Sequence, residues 1–109
     1  MPKAGELWLA EIPFTSGMAS KRRPVLVLWE DMADVVVAAV TKAAPRSPTD
    51  VPLLDWASEG LVVASTVRLS RLDCLEQPLL RRRLGILSQG DARLVEAAWS
   101  RHAQLRFNV

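Results

Sequence analysis

Pro24-Val-Leu-Val-Leu-Trp29, the interval Glu30-Asp-Met-Ala-Asp34 and Val35-Val-Val-Ala-Ala-Val40 together decide the fold. Two β-branched, nearly continuous apolar runs separated by a short polar interval predict a hairpin of central strands, with the core built around it. Toward the N-terminus, Leu7, Leu9 and Ile12 are interleaved with Glu6, Trp8 and Glu11, the near-alternation of a half-buried strand over Gly5 to Ile12. Pro13 to Arg23 holds Pro, Thr, Ser, Gly and three consecutive cations without an apolar period. It is expected to be an exposed loop, the kind of segment on which function sits when the scaffold is rigid.

Past the hairpin, Lys42 to Asp50 contains Pro45 and Pro48 among polar neighbours, which forbids a regular helix or a central strand and predicts a second long loop. Val51 to Leu54 suits a short strand, and Asp55 to Gly60 a turn or brief helix ended by glycine. Leu61 to Leu75 is β-rich, but its alternation slips once, which predicts a bulge near Arg71. Leu84 to Leu87 is the last short strand. Ser88-Gln-Gly-Asp91 has the spacing of a helix N-terminal cap, after which Leu94, Val95, Ala98, Trp99 and His102 recur at helical spacing. Short strands followed by one helix make the chain mainly β (α+β): a small, curved, partly closed antiparallel barrel with a covering helix, and not a set of βαβ units.

The size, 109 residues and 12.0 kDa, fits one domain over residues 1–109. Half the residues are hydrophobic and 24% are charged, which is globular rather than disordered composition. The longest apolar run, Val35 to Val40, is far short of the roughly 18 residues of a membrane-spanning helix, and the first residues lack an apolar signal core, so no membrane partner and a cytoplasmic location are expected. One Cys and one His exclude an intramolecular disulfide and an ordinary zinc site; no metal and no cofactor are expected.

The chain carries none of GxGxxG, a P-loop, HExxH or a nucleophile elbow. His102 near a helix C-terminus is explained by the helix dipole as well as by catalysis. Cys74, in an apolar strand pattern, is expected to be a buried, inert thiol. Fourteen basic against twelve acidic residues give a net charge of only +2, but eleven of the fourteen are Arg, suited to bidentate phosphate recognition. They cluster at Lys21-Arg22-Arg23 and at Arg81-Arg82-Arg83, the latter expected to be solvated. Arg23 begins the second strand and Thr41 ends the third, so the hairpin brings them to the same end of two paired strands. A guanidinium beside a hydroxyl can bind the charge of a pentacoordinate phosphorane, yet strand-end capping accounts for both residues too. Arginine, with a pKa above about 12, leaves the general base unidentified.

The ordered strings Gly5-Glu-Leu-Trp-Leu-Ala-Glu-Ile-Pro-Phe-Thr-Ser-Gly17, Lys21-Arg-Arg-Pro-Val-Leu-Val-Leu28, Val35-Val-Val-Ala-Ala-Val-Thr41, Val51-Pro-Leu, Gly60-Leu, Ser65-Thr-Val-Arg68 and Leu84-Gly-Ile-Leu-Ser-Gln-Gly-Asp91 closely resemble the MazF/PemK toxin family over nearly the whole chain. The resemblance implies an SH3-like barrel of the CcdB/PemK type with a C-terminal helix, usually a symmetric homodimer. It also implies a metal-independent endoribonuclease of a type II toxin–antitoxin pair that cuts single-stranded RNA at a short sequence by 2′-hydroxyl attack, leaving a 2′,3′-cyclic phosphate and a 5′-hydroxyl. By that resemblance Arg23 is the catalytic arginine and Thr41 the catalytic threonine. Ser16, Ser20, Lys21 and Arg22 of the first loop, Lys42, and Ser70 and Arg71 become RNA contacts. Phe14 is the candidate for base stacking, because Trp8, Trp29 and Trp56 lie in core-like patterns. The implied partners are single-stranded RNA, a second copy and an acidic antitoxin. The chain departs from relatives at Ser70 and Arg71, where Glu and Gln are common, and in Gly17-Met-Ala-Ser-Lys-Arg, where many carry Gly-Ser-Glu-Gln-Gly. Two other functions fit such a fold: a non-catalytic toxin that poisons DNA gyrase, as CcdB-like relatives do, and a nucleic-acid-binding barrel without activity.

Overall fold

The computed structural model describes residues 1–13 and 19–109. Its strands are β1 (Glu6–Pro13), β2 (Ser20–Asp31), β3 (Asp34–Thr41), β4 (Asp50–Pro52), β5 (Thr66–Glu76) and β6 (Leu80–Ile86), followed by helix α1 (Gln89–His102). They form one antiparallel sheet in the order β4-β5-β3-β2-β1-β6. The central hairpin is β2–β3, with Val25 opposite Ala39 and Val27 opposite Val37. Successive side chains of a strand point to opposite faces. Leu26, Ala38 and Val40 pack on one face with Leu7, Val67, Leu69 and Val95 of α1, while Val25, Val27, Val35 and Val37 pack on the other with Ala10, Leu75 and Leu80. Both faces of the hairpin are therefore covered, which is why its apolar runs are continuous rather than alternating. Its turn is Met32-Ala33, with Met32 at φ 60° in the left-handed region.

The two basic runs lie in strands, contrary to the loop expected over Pro13 to Arg23 and the late start expected for the last strand. β2 begins at Ser20, pairing Lys21, Arg22 and Arg23 with Ile12, Glu11 and Ala10 of β1. β6 begins at Leu80 and contains Arg81 to Arg83. Pairing with β1 supplies the backbone partners, and the acids of β1 supply the charge. Glu11 takes both Arg22 (3.6 Å) and Arg81 (2.9 Å), and Glu6 takes Arg83 (2.8 Å). Burial alone would raise the Glu6 carboxyl, but hydrogen bonds from Trp8, Lys3 and Arg83 outweigh it and hold the group below its ordinary value. Cys74, expected to be buried, is exposed, because the register of β5 turns it away from the core. Leu94, on the apolar stripe of α1, is also exposed.

The chain leaving β4 crosses to the opposite edge of the sheet. Asp55 to Gly60 makes a single helical turn closed by a Schellman arrangement, in which Leu61 N–H donates to Trp56 O (3.0 Å) and Gly60 N–H to Ala57 O (3.3 Å), with Gly60 at φ +95°. This turn lies directly on β6. A Cβ on Gly60 would stand 2.0 Å from Leu84 O, and one on Gly85 would stand 2.2 Å from Glu59 O, so only glycine allows the approach. The contact joins the two edges of the curled sheet. α1 starts against the same turn: Ser88 Oγ accepts Asp91 N–H (3.1 Å), and the Asp91 carboxylate accepts Leu54 N–H and Asp55 N–H, both at 3.0 Å. Edge strand β4 is short and contains Pro52, features that discourage pairing with another chain. No helix among the described residues is long and apolar enough to cross a membrane.

Candidate functional site

The β3–β5 pairing breaks at one point, and the break builds a cleft. Ala38 of β3 pairs with Leu72, but the next residue, Ala39, pairs with Arg68, so Leu69, Ser70 and Arg71 have no partner on β3. The bulge expected near Arg71 is therefore three residues long. Leu69 is anchored on the other side, donating its N–H to Thr49 O at 3.0 Å. Beside the bulge opens a cleft of about 460 Å³. Ile12 of β1, Arg23 of β2, Ala39 to Thr41 of β3, and Arg68 with Ser70 to Asp73 of β5 line it.

Arg23 and Thr41 enter through the central hairpin. Extending the Val25–Ala39 register by two residues sets Arg23 opposite Thr41, about 5 Å apart at Cα. Both lie on the face of Val25, Val27, Val35 and Val37, because alternation preserves the face along each strand. Thr41 Oγ1 accepts Ala43 N–H at 3.1 Å, which orients the hydroxyl and leaves its own O–H free to donate into the cleft. Arg68 is held from behind. Its Nε lies 3.4 Å from Oδ1 of buried Asp50, whose other oxygen accepts Arg46 N–H at 2.8 Å. Arg23 and Arg71 form no ion pair among the described residues and face solvent, so two guanidinium groups are available to an incoming anion.

Of the residues expected from the sequence, the cleft gathers Arg23, Thr41, Ser70 and Arg71. Ser20, Lys21 and Lys42 are exposed nearby without lining it, and Arg22 is turned to Glu11 on the opposite face of β2. Phe14 and Ser16 lie outside the described residues. Sequence reasoning missed Ile12, Arg68 and Asp73. The slip in alternation was the available signal for the last two, since they flank the bulge it announced.

Away from the cleft, oxygens of Asp55, Glu59 and Asp91 lie within 4.8 Å of one another. Three backbone N–H groups already point into this cluster: Leu54 and Asp55 on Asp91, and Ser88 on Glu59 Oε2 at 2.7 Å. Donors and a helix N-terminus favour anions, which opposes a cation there. Burial pushes the Glu59 carboxyl up to about 7, and the adjacent Asp91 carboxylate pushes in the same direction. Glu59 Oε1, which has no donor of its own, is satisfied when it carries a proton shared with Asp91. The cluster is a structural latch between the turn and α1.

A groove of about 240 Å³ between β2 and α1 is lined by Leu28, Trp29, Val95, Glu96, Trp99 and Ser100, with the two indoles edge to face at 6.1 Å. It offers no cation to a phosphate. The 460 Å³ cleft, by contrast, joins guanidinium groups free of ion pairs among the described residues to a hydroxyl able to donate.

Comparison with known proteins places the fold. An endoribonuclease in complex with its cognate antitoxin, from a mycobacterial species, matches with a TM-score of 0.78 at 19% identity, over 98% of this chain and 99% of that one. The Mycobacterium tuberculosis toxin MazF-mt6 matches with a TM-score of 0.73 at 23% identity, over 94% and 99%. A chain of the MazE–MazF complex from Deinococcus radiodurans matches with a TM-score of 0.67 at 23% identity, over 96% and 97%. No curated protein matches by sequence. At these identities the likeness is one of fold, and membership comes from the family model, which matches residues 3–101: the chain belongs to the PemK-like, MazF-like toxins of type II toxin–antitoxin systems.

Proposed function

We propose that this protein is an endoribonuclease toxin that cuts single-stranded RNA at a short sequence, without a metal, by attack of a 2′-hydroxyl on the adjacent phosphate. The observation that carries the reading is the convergence of Arg23, Thr41 and Arg71 on one cleft. The phosphorane formed by 2′-hydroxyl attack bears an extra negative charge, and preorganised donors aimed at it lower the barrier more than any other single effect. Arg23 takes that charge with paired N–H groups, and Thr41 donates its free O–H to a phosphate oxygen. Arg71 and Ser70, on the bulge, hold the neighbouring phosphate or sugar. The products are a 2′,3′-cyclic phosphate and a 5′-hydroxyl.

An acidic antitoxin fits the same surface, since a cleft with unpaired arginines attracts carboxylates as it does phosphates. Structural neighbours solved with their cognate antitoxins support that partner. A homodimer and a cytoplasmic location belong to the same reading. The test is incubation of the purified protein with a long single-stranded RNA in EDTA, with ends mapped at nucleotide resolution and Arg23→Ala run in parallel. Cuts at one short motif, bearing 5′-hydroxyl ends and reduced ~10²–10³-fold in the variant, are expected. Intact RNA from folded, antitoxin-free protein refutes the reading.

A further inference from the structure

We infer that Asp73 is the general base of this cleft, accepting the proton of the attacking 2′-hydroxyl; the inference rests on the RNA-cleavage reading of the site. A guanidinium with a pKa above about 12 is fully protonated at neutral pH, so Arg23, Arg68 and Arg71 cannot take a proton there. Thr41 and Ser70 offer hydroxyls that are themselves weak acids. Asp73 is the one carboxylate among the lining residues. A second carboxylate stands close behind them, Asp50, but its oxygens are committed to Arg68 and to Arg46 N–H, and it is 6% exposed. Asp73 is exposed and makes no hydrogen bond or ion pair among the described residues, so its lone pairs are open to a ligand.

Its placement fits the task. Asp73 pairs with Val37, and directly opposed residues share a face, so Asp73 stands on the same face as Thr41 and Arg23. Val37 and Thr41 are four residues apart on β3, about 13 Å. That interval is filled by a ribose and its 3′-phosphate approached by an aspartate from one end and an arginine and a threonine from the other. The bulge between Arg68 and Leu72 supplies the room. In the reaction the 2′ O–H bond breaks and its proton passes to an Asp73 oxygen as the 2′ oxygen bonds to phosphorus. The bond from phosphorus to the 5′ oxygen breaks, and that oxygen keeps the electron pair and takes a proton from water. The hydroxide so formed removes the proton from Asp73.

The test is the pH dependence of single-turnover cleavage by wild type and Asp73→Asn, using a single-stranded RNA spanning the cut mapped for wild type. Asparagine keeps the size and polarity of an exposed side chain, and matching melting curves establish that it folds. The variant is expected to lose ~10²–10⁴-fold in rate near neutral pH and to climb about tenfold per pH unit as hydroxide replaces the base. Wild type instead shows an acid limb followed by a plateau. Affinity for the same RNA carrying 2′-deoxyribose at the cut is expected to stay within about threefold, separating proton transfer from binding. Partial rescue of Asp73→Ala by formate is expected as well.

Equal rates with the same acid limb in Asp73→Asn overturn the inference. A retained rate at a different sequence also overturns it, by making Asp73 a reader of a base, and so does a loss of affinity equal to the loss of rate. If wild type leaves the RNA intact, the RNA-cleavage reading itself falls and takes the inference with it. A wild type that cuts while Asp73→Asn behaves identically removes only the base.

Discussion

Replacing Glu59 with Gln is expected to stabilise the protein at neutral and alkaline pH, although it removes a buried charged residue. Glu59 and Asp91 are each 1% exposed. The charged groups facing Glu59 are Asp55 from its own turn and Asp91 from α1, with no cation paired to any of them among the described residues. Burial and the Asp91 carboxylate raise Glu59 from 4.5 to about 7. Between those values the folded chain holds a proton that the unfolded chain has released. The contribution of this group is therefore whole below about 4.5, falls as pH rises through the window, and is gone above about 7. At about 1.4 kcal/mol per pH unit, the loss is at most about 3–4 kcal/mol, or about 15 °C in Tm for a domain this size. Glutamine donates an N–H to Asp91 and offers a carbonyl oxygen to Ser88 N–H at every pH, so it fixes the protonated arrangement. Urea unfolding of both proteins from about pH 4 to pH 8 measures the difference, in which acid-side losses at Glu6, common to both, cancel. The gap is expected to open with rising pH in favour of Gln. A gap independent of pH, or a less stable Gln variant near pH 8, refutes the shared proton.

Thr41→Val keeps the shape of the side chain and removes its donor, so cleavage is expected to fall ~10²–10³-fold with an unchanged melting curve, while Thr41→Ser retains most of the rate; single-turnover assays decide it. Asp50→Asn strips the charge that holds Arg68 and is expected to cost about 2–3 kcal/mol by urea unfolding, below the value for a fully buried pair because Arg68 is partly exposed. Gly85→Ala drives a Cβ to 2.2 Å from Glu59 O, and separation of the turn from β6 is expected to cost about 3 kcal/mol and to weaken the pH dependence described for Glu59. Met32→Gly relieves a left-handed φ at a residue 91% exposed and is expected to add up to about 1 kcal/mol.

The fold was legible wherever hydrophobic period and turn chemistry agreed. The hairpin, the first strand, the glycine-ended turn at Asp55 to Gly60 and the Ser88 cap were each announced by local residues, and the structure has all four. Strand ends were hidden where charge decided the reading. Lys21-Arg-Arg23 and Arg81-Arg-Arg83 look like loop because nothing near them in sequence balances their charge. Arg22, Arg81 and Arg83 find counter-charges in Glu11 and Glu6 of β1, 70 and 77 residues away for the latter two. A strand that borrows its counter-charges across the sheet carries no local sign of being a strand. Cys74 was misplaced for a related reason: past the bulge, the face of each β5 residue depends on how many residues the bulge holds, and one slip in alternation does not count them.

The same bulge explains why Arg68 and Asp73 were not expected at the site, although Ser70 and Arg71 between them were. Arg23 and Thr41 sit on regular strands joined by a two-residue turn, so register arithmetic along one hairpin brings them together, and the sequence was sufficient to see it. Arg68, Ser70, Arg71 and Asp73 come from a strand that is regular on either side and arched between. In a regular strand, Arg68 and Asp73, five apart, would face opposite sides of the sheet. Three unpaired residues remove the parity, so both line one cavity. An irregularity that costs ladder hydrogen bonds thereby sets an arginine and a carboxylate around a pocket whose other wall is the most regular part of the fold. On this argument the bulge is part of the proposed chemistry. Deleting Ser70 leaves Arg68 and Asp73 opposite Ala39 and Val37, on one face, but shortens the arch that gives the cleft its room, so cleavage is expected to fall even though Arg23, Thr41 and Asp73 are all still present.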